Sequence, residues 1–148
     1  MVRQPLALIQ RAEIDEKLRK AVDLHRSGQL ERAEQIYREI LCDAPKHADA
    51  LHLLGVVAYQ VGKCAVAVDL VSQAIEIDPK QSSYFNNLGN AFKKLGNLGE
   101  STQAYYRAIE IEPDYAEAYN NLGNVLAEQD RLEESISAYH RALEIDPE

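Results

Sequence analysis

The chain has 148 residues, enough for one ordinary domain or about four short repeats, and 46% of them are hydrophobic, so it can bury a core and is not disordered by composition. Its net charge of −8 opposes nucleic-acid binding, which needs clustered Lys and Arg to neutralise phosphates. The longest apolar run, Leu53 to Tyr59, is too short for direct membrane insertion; the start shows no signal peptide, and Cys42 and Cys64 are too few for a disulfide framework, so the default is cytoplasmic, with both thiols reduced and partly buried.

In chain order, residues 1–13 come first. Leu6, Leu8 and Ile9 either prolong the first helix backwards and cover its exposed end, or fray; Pro5 suits a helix start nearby. The stretch 14–47 reads as a helix pair with Leu24, Gly28, Ala33, Tyr37 and Pro45, but has Lys17 and Lys20 where later pairs are apolar. The stretch 48–81 carries Leu51, Leu54, Gly55, Ala67, Ala74 and Pro79. In 82–115, Phe85, Leu88 and Phe92 share one helical face and Gly96 stops that helix. Leu98, Ala104, Tyr105, Ala108, Ile109 and Ile111 form a second helix, and Pro113 closes it. Asp114 is then expected to cap the next helix, with Glu117 three positions on. The stretch 116–148 repeats this, and Asn-Asn-Leu-Gly-Asn occurs at both 86–90 and 120–124.

The punctuation keeps one step of 34 residues: Pro45, Pro79, Pro113, Pro147; Gly28, Gly62, Gly96, Asp130; Gly55, Gly89, Gly123. A fixed period of this size signals a repeat array in which each unit buries its apolar face against its neighbours and leaves an extended binding surface. The residues Phe85, Leu88, Gly89, Phe92, Ser101, Tyr105, Ala108 and Pro113, with Tyr119, Leu122, Gly123, Leu126, Ser135, Tyr139, Ala142 and Pro147, resemble the tetratricopeptide repeat over about 14–148. That resemblance implies an all-α, right-handed superhelical solenoid of stacked antiparallel helix pairs. Its departures are small: Asp130 for a turn glycine, Val71 for an aromatic, Ile40 for alanine. The sequence stops one residue after Pro147 with no further capping helix, from which we expect either an excerpt of a longer protein or a bare end buried by self-association.

In the family, the side of each first helix opposite its packing residues lines a concave groove. By helical phase that side offers Asp15, Leu18, Arg19, Val22 and His25 in the first unit. The second offers Asp49, His52, Val56, Tyr59 and Gln60, and the third Ser83, Asn86, Asn87, Asn90, Lys93 and Lys94. The fourth offers Glu117, Asn120, Asn121, Asn124 and Glu128. Asparagine is a mediocre helix former, and its amide offers a donor and an acceptor that suit a peptide backbone. The series resembles the asparagine ladder in the superhelical repeats of O-linked N-acetylglucosamine transferase and its bacterial relatives. The resemblance falls on Asn87 and Asn121 first, then Asn90 and Asn124, with Asn86, Asn120, Lys93, His52 and Tyr59 beside them. The alternative is that these amides bond between neighbouring helices or face water. The cationic clamp that other members use for acidic chaperone tails is missing: its positions hold Leu18, Val22, Leu53, Ser83 and Asn87, or His52, Val56, Asn87, Glu117 and Asn121.

Residues 1–46 are net +1 and the rest net −9, which reads as solvated outer helix faces rather than a site for a basic partner. His25, His47, His52 and His140 show no ligand spacing, no phosphate loop follows a strand, and Glu110/Glu112 and Glu133/Glu134 lie on solvent faces. The expectation is no metal, no cofactor and no catalysis. A protein or peptide ligand in the groove comes first. The substrate-docking part of a larger modifying enzyme, such as a glycosyltransferase, and a self-assembling array through the C-terminal helix face are the alternatives.

Overall fold

Helix-breaking residues at a constant step produce an alternation of helix and tight turn. The computed structural model describes residues 3–148, with side chains from residue 7 onward. Among the described residues there are eight helices and no strand: α1 Arg3–Arg26, α2 Leu30–Asp43, α3 Ala48–Gln60, α4 Cys64–Ile77, α5 Ser82–Lys94, α6 Leu98–Ile111, α7 Ala116–Glu128 and α8 Leu132–Ile145. They form a solenoid of stacked helix pairs, each helix packing on its neighbours in sequence. No helix among the described residues is long and apolar enough to cross a membrane.

Two kinds of turn alternate. Gly28, Gly62 and Gly96 adopt left-handed φ angles between 78° and 84°, and Asp130 takes φ 59° at the fourth such turn. In each, the following N–H reaches back to close the helix end: Gln29 to the Leu24 carbonyl, Lys63 to Ala58, Asn97 to Phe92 and Arg131 to Leu126, all at 2.8–2.9 Å. At the other turns the residue before each proline (Ala44, Asp78, Glu112, Asp146) is pushed to φ between −138° and −131°, ending its helix.

The start of α7 differs from the sequence expectation. The Tyr115 N–H bonds the Glu112 carbonyl at 3.2 Å, so Tyr115 takes the N-cap position and its side chain makes no cap bond. Asp114 is left one residue too early and accepts from Arg141 at 3.4 Å instead. The N-terminus also differs. α1 outruns its shorter partner α2, so Leu8 and Ile9 stand exposed rather than covering an end; the Leu6 side chain lies outside the described residues. Lys17 pairs with Asp43 at 2.9 Å. Of the two free thiols, Cys64 is buried and Cys42 exposed.

Small residues set the distance within a pair. A Cβ at Gly89 would stand 2.6 Å from the Tyr105 ring, at Gly123 2.7 Å from the Tyr139 ring, and at Gly55 2.7 Å from Val71. Beside them, Ser101 and Ser135 bury their hydroxyls by donating to the Gly89 and Gly123 carbonyls at 2.8 and 2.7 Å. With one face on Gly89, Tyr105 joins Leu122, Val125 and Leu126 of α7 in one cluster. Tyr37 similarly joins Leu54 and Val57 of α3. The aromatic therefore fills both the gap within its own pair and the junction to the next, and the core is a row of such junctions.

Candidate functional site

The first helices of successive pairs stand side by side, and α3 with α5 and α5 with α7 touch directly. Polar contacts across these junctions recur at a separation of 35 residues. His25 Nε2 meets Gln60 Oε1 at 2.7 Å, Tyr84 donates its hydroxyl to Asp49, Asn87 Nδ2 donates to His52 Nε2 at 2.8 Å, and Asn121 Nδ2 donates to Asn86 Oδ1 at 3.1 Å. Lys93 and Glu128, at the same separation, pair at 3.1 Å. The sequence period is 34, and the extra residue has a geometric cause. One helix must present its forward side and the next its backward side, and a step of one residue rotates the side chain by about 100°. The Asn86-Asn87 doublet serves both directions: Asn86 looks forward to α7, and Asn87 looks back to α3.

The three junctions are not chemically alike. At the first, Leu18 and Leu53 hold these slots, both half-buried against the first core cluster. At the second stand His52 and Asn87, and at the third Asn86 and Asn121. His52 is buried, and its ring stacks on Tyr84 with centroids 4.4 Å apart. Burial lowers its pKa to about 4, against a smaller opposing pull from the Asp49 carboxylate. The neutral ring is what the junction needs, because Nε2 must be free of a proton to accept from Asn87. Burial, helped by the bond to Asp49, also holds the Tyr84 hydroxyl above its usual range.

Of the nine residues expected to face a ligand, His52 and Asn86 are buried. Asn86 donates to Glu117 at 3.0 Å and accepts from Asn121, so its amide is consumed in joining α5 to α7. Asn87 and Asn121 are half-buried and each spends its Nδ2 on the first helix of the preceding pair. Asn90 and Asn124 use Oδ1 to accept from Tyr105 at 2.7 Å and Tyr139 at 2.6 Å, anchoring the aromatic of their own pair. Asn120, the forward-facing equivalent of Asn86, is exposed. The ladder of amides is thus largely a set of lateral ties between helices.

One part of the face stays open. Tyr59, Asn90, Lys93, Lys94, Tyr105, Asn121 and Glu128 line a niche of about 360 Å³ spanning α3, α5 and α7. Lys94 lies over the Tyr59 ring, 4.9 Å from its centroid. Burial pushes the Tyr105 hydroxyl at the niche floor up to about 12, so it stays protonated and donating. Sequence reasoning placed Lys94 and Glu128 on the groove side without assigning them a role. Their value comes from the neighbouring helices and from no local motif. Among the described residues no cluster of His, Cys, Asp or Glu has the form of a metal site.

Comparison with known proteins agrees with this architecture. Tetratricopeptide repeat models match residues 24–89, 89–130 and 116–148. Among solved structures, a MamA crystal structure superposes with a TM-score of 0.83 at 19% identity, covering 90% of this chain and 78% of that one. MamA from Desulfovibrio magneticus gives 0.82 at 17% identity, over 90% of this chain and 76% of the other. A Thermobaculum terrenum O-GlcNAc transferase mutant gives 0.78 at 32% identity, covering 79% of this chain but only 22% of the transferase. No curated protein sequence matches the chain.

Proposed function

Since the chain belongs to the tetratricopeptide repeat family, we propose that it is an interaction scaffold holding an extended peptide or a helix along the face of α3, α5 and α7. In this reading the repeat boundaries are 14–47, 48–81, 82–115 and 116–148, preceded by a prolonged first helix, and the work is done in the cytoplasm. The observation that carries it is the open niche between Tyr59, Asn90, Lys93 and Asn121, where polar groups from three helices converge on one concavity. The test is direct. A peptide partner is identified by capture and the bound segment mapped. The Asn87→Ala, Asn121→Ala double variant is then expected to bind it at least tenfold more weakly while keeping its helical circular dichroism. Unchanged affinity removes both amides from the binding face.

Two observations favour further readings. The 32% identity to the transferase over most of this chain supports a substrate-docking segment of a larger modifying enzyme, which the full-length gene tests. Leu132, Ile136 and Leu143 stand exposed on the outer side of α8 and support self-association there, which concentration-dependent light scattering tests.

A further inference from the structure

The open niche also specifies which peptide side chain it takes. On the groove side of α3, α5 and α7 every carboxylate already has a partner: Asp49 accepts from Tyr84, Glu117 from Asn86, and Glu128 pairs with Lys93. Lys94 makes no ion pair among the described residues and rests its ammonium on the Tyr59 ring. Lys93 and Lys94 leave α5 toward different neighbours, Lys93 toward α7 and Lys94 toward α3, and both line the niche. The pair Lys93–Glu128 is partly exposed, with side-chain exposures of 30% and 50%, so its strength is small and an incoming carboxylate can exchange with Glu128.

The amides beside them complete a peptide-shaped set. Asn90 uses Oδ1 on Tyr105 and, among the described residues, spends Nδ2 on nothing. Asn121 uses Nδ2 on Asn86 and leaves Oδ1 without a donor. One free donor and one free acceptor on adjacent helices match the carbonyl and N–H of an extended segment. Building on the peptide-binding function proposed above, we infer that this niche selects an acidic residue, Asp or Glu, in the bound peptide, with its side chain between Lys93 and Lys94 and its backbone on Asn90 and Asn121. Glu128 occupies the cationic site as a built-in competitor until the ligand arrives. The chain's net charge of −8 does not forbid this. At 0.15 M salt the screening length is about 8 Å, so the two ammonium groups in contact decide.

The test uses the whole chain and three acetylated, amidated peptides, Ser-Val-Thr-X-Thr-Val-Ser, with X as Glu, Gln or Lys. Affinity is read by fluorescence anisotropy and location by the asparagine side-chain amide signals in ¹⁵N NMR spectra. The Glu peptide is expected to bind at least fivefold more tightly than the Gln peptide, and the Lys peptide more weakly than either. That preference disappears in Lys93→Gln, Lys94→Gln, whose helical signal stays unchanged because both ammonium groups lie at the surface. Glu128→Gln should tighten the Glu peptide about twofold to threefold by removing the competitor. Equal binding of the Glu and Gln peptides, with shifts at Asn90 and Asn121, overturns the acidic preference and leaves the groove reading standing. A preference that survives the double lysine variant overturns it by placing the cation elsewhere. No binding by any of the three peptides overturns the acidic-residue inference, while the groove reading is decided separately by the captured partner.

Discussion

Helix pairs α5·α6 and α7·α8 are near copies in sequence and differ in what lies beyond them. Both carry Asn-Asn-Leu-Gly-Asn, a serine on the glycine carbonyl at 2.7–2.8 Å, and a tyrosine hydroxyl on the last asparagine of the motif at 2.6–2.7 Å. In the interior pair Tyr105 is fully buried under α7, and Thr102 is 5% exposed. In the last pair no described helix follows. Tyr139 is half-buried, and Leu132, Ile136 and Leu143 are 59%, 56% and 58% exposed. The bonds within a pair are therefore local properties, whereas burial of the outer side of the second helix belongs to the neighbour. A repeat protein has to acquire its core junction by junction.

The sharpest way to break this comparison is to put a methyl group at the same place in both pairs. Gly89→Ala drives a Cβ into a tyrosine ring that is boxed in by α7, and we expect it to lower stability by about 3 kcal/mol. Gly123→Ala meets the equivalent ring at 2.7 Å, but Tyr139 can swing outward, so the expected loss is about 1 kcal/mol. Urea denaturation of the two variants measures the gap; equal losses would mean that the covering helix does not fix the tyrosine.

A second effect separates the α3–α5 junction from the α5–α7 junction through protonation. Neutral His52 is favoured in the fold, with a pKa near 4 against roughly 6.5 for the unfolded chain. Its contribution is fully present above the unfolded value and fades as pH falls toward 4, because the unfolded chain takes up the proton first. Between pH 7 and pH 5 the loss should reach about 2 kcal/mol, and His52→Gln should flatten the dependence in that window. The α5–α7 junction, with Asn86 on Glu117 and Asn121 and with Lys93 on Glu128, contains no histidine and should respond far less in this window. Hydrogen exchange at α5 and α7 as a function of pH distinguishes the two junctions.

The smallest effect lies at the turns. Asp130 is held at φ 59° where the interior turn has Gly96 at 79°. Relief of left-handed strain in Asp130→Gly is partly offset by the greater freedom of glycine in the unfolded chain, so stability should rise by 0 to about 1 kcal/mol. The reverse change, Gly96→Asp, should cost about 1 kcal/mol, with no steric clash because nothing lies within 4 Å of a Cβ there. Thermal midpoints of the two variants give both signs.

The repeat architecture was legible because glycine and proline act locally. Gly28, Gly62 and Gly96 take left-handed angles wherever such a turn is needed, and the prolines end helices without help from distant residues. The groove was legible only in outline. Helical phase assigns His52, Asn86, Asn87, Lys93, Asn121 and Glu128 to one side, and in the structure these groups meet one another across the contacts between first helices. It had no means of showing that adjacent first helices pair residues 35 apart, which turns several of these groups inward. Asp114 was misjudged for a similar reason, since one turn bond at Tyr115 decides where the helix begins.

By itself the sequence determined that this protein is a stack of helical hairpins. Backbone preferences at the breakers and a 34-residue apolar rhythm are written along the chain, each within reach of its own neighbours. The tertiary structure decided which amides are ties and which remain open, that His52 stays neutral, and that Lys93 and Lys94 line one niche. Those outcomes depend on the rotation of one helix against the next, and that rotation arises only when side chains from separate repeats pack together.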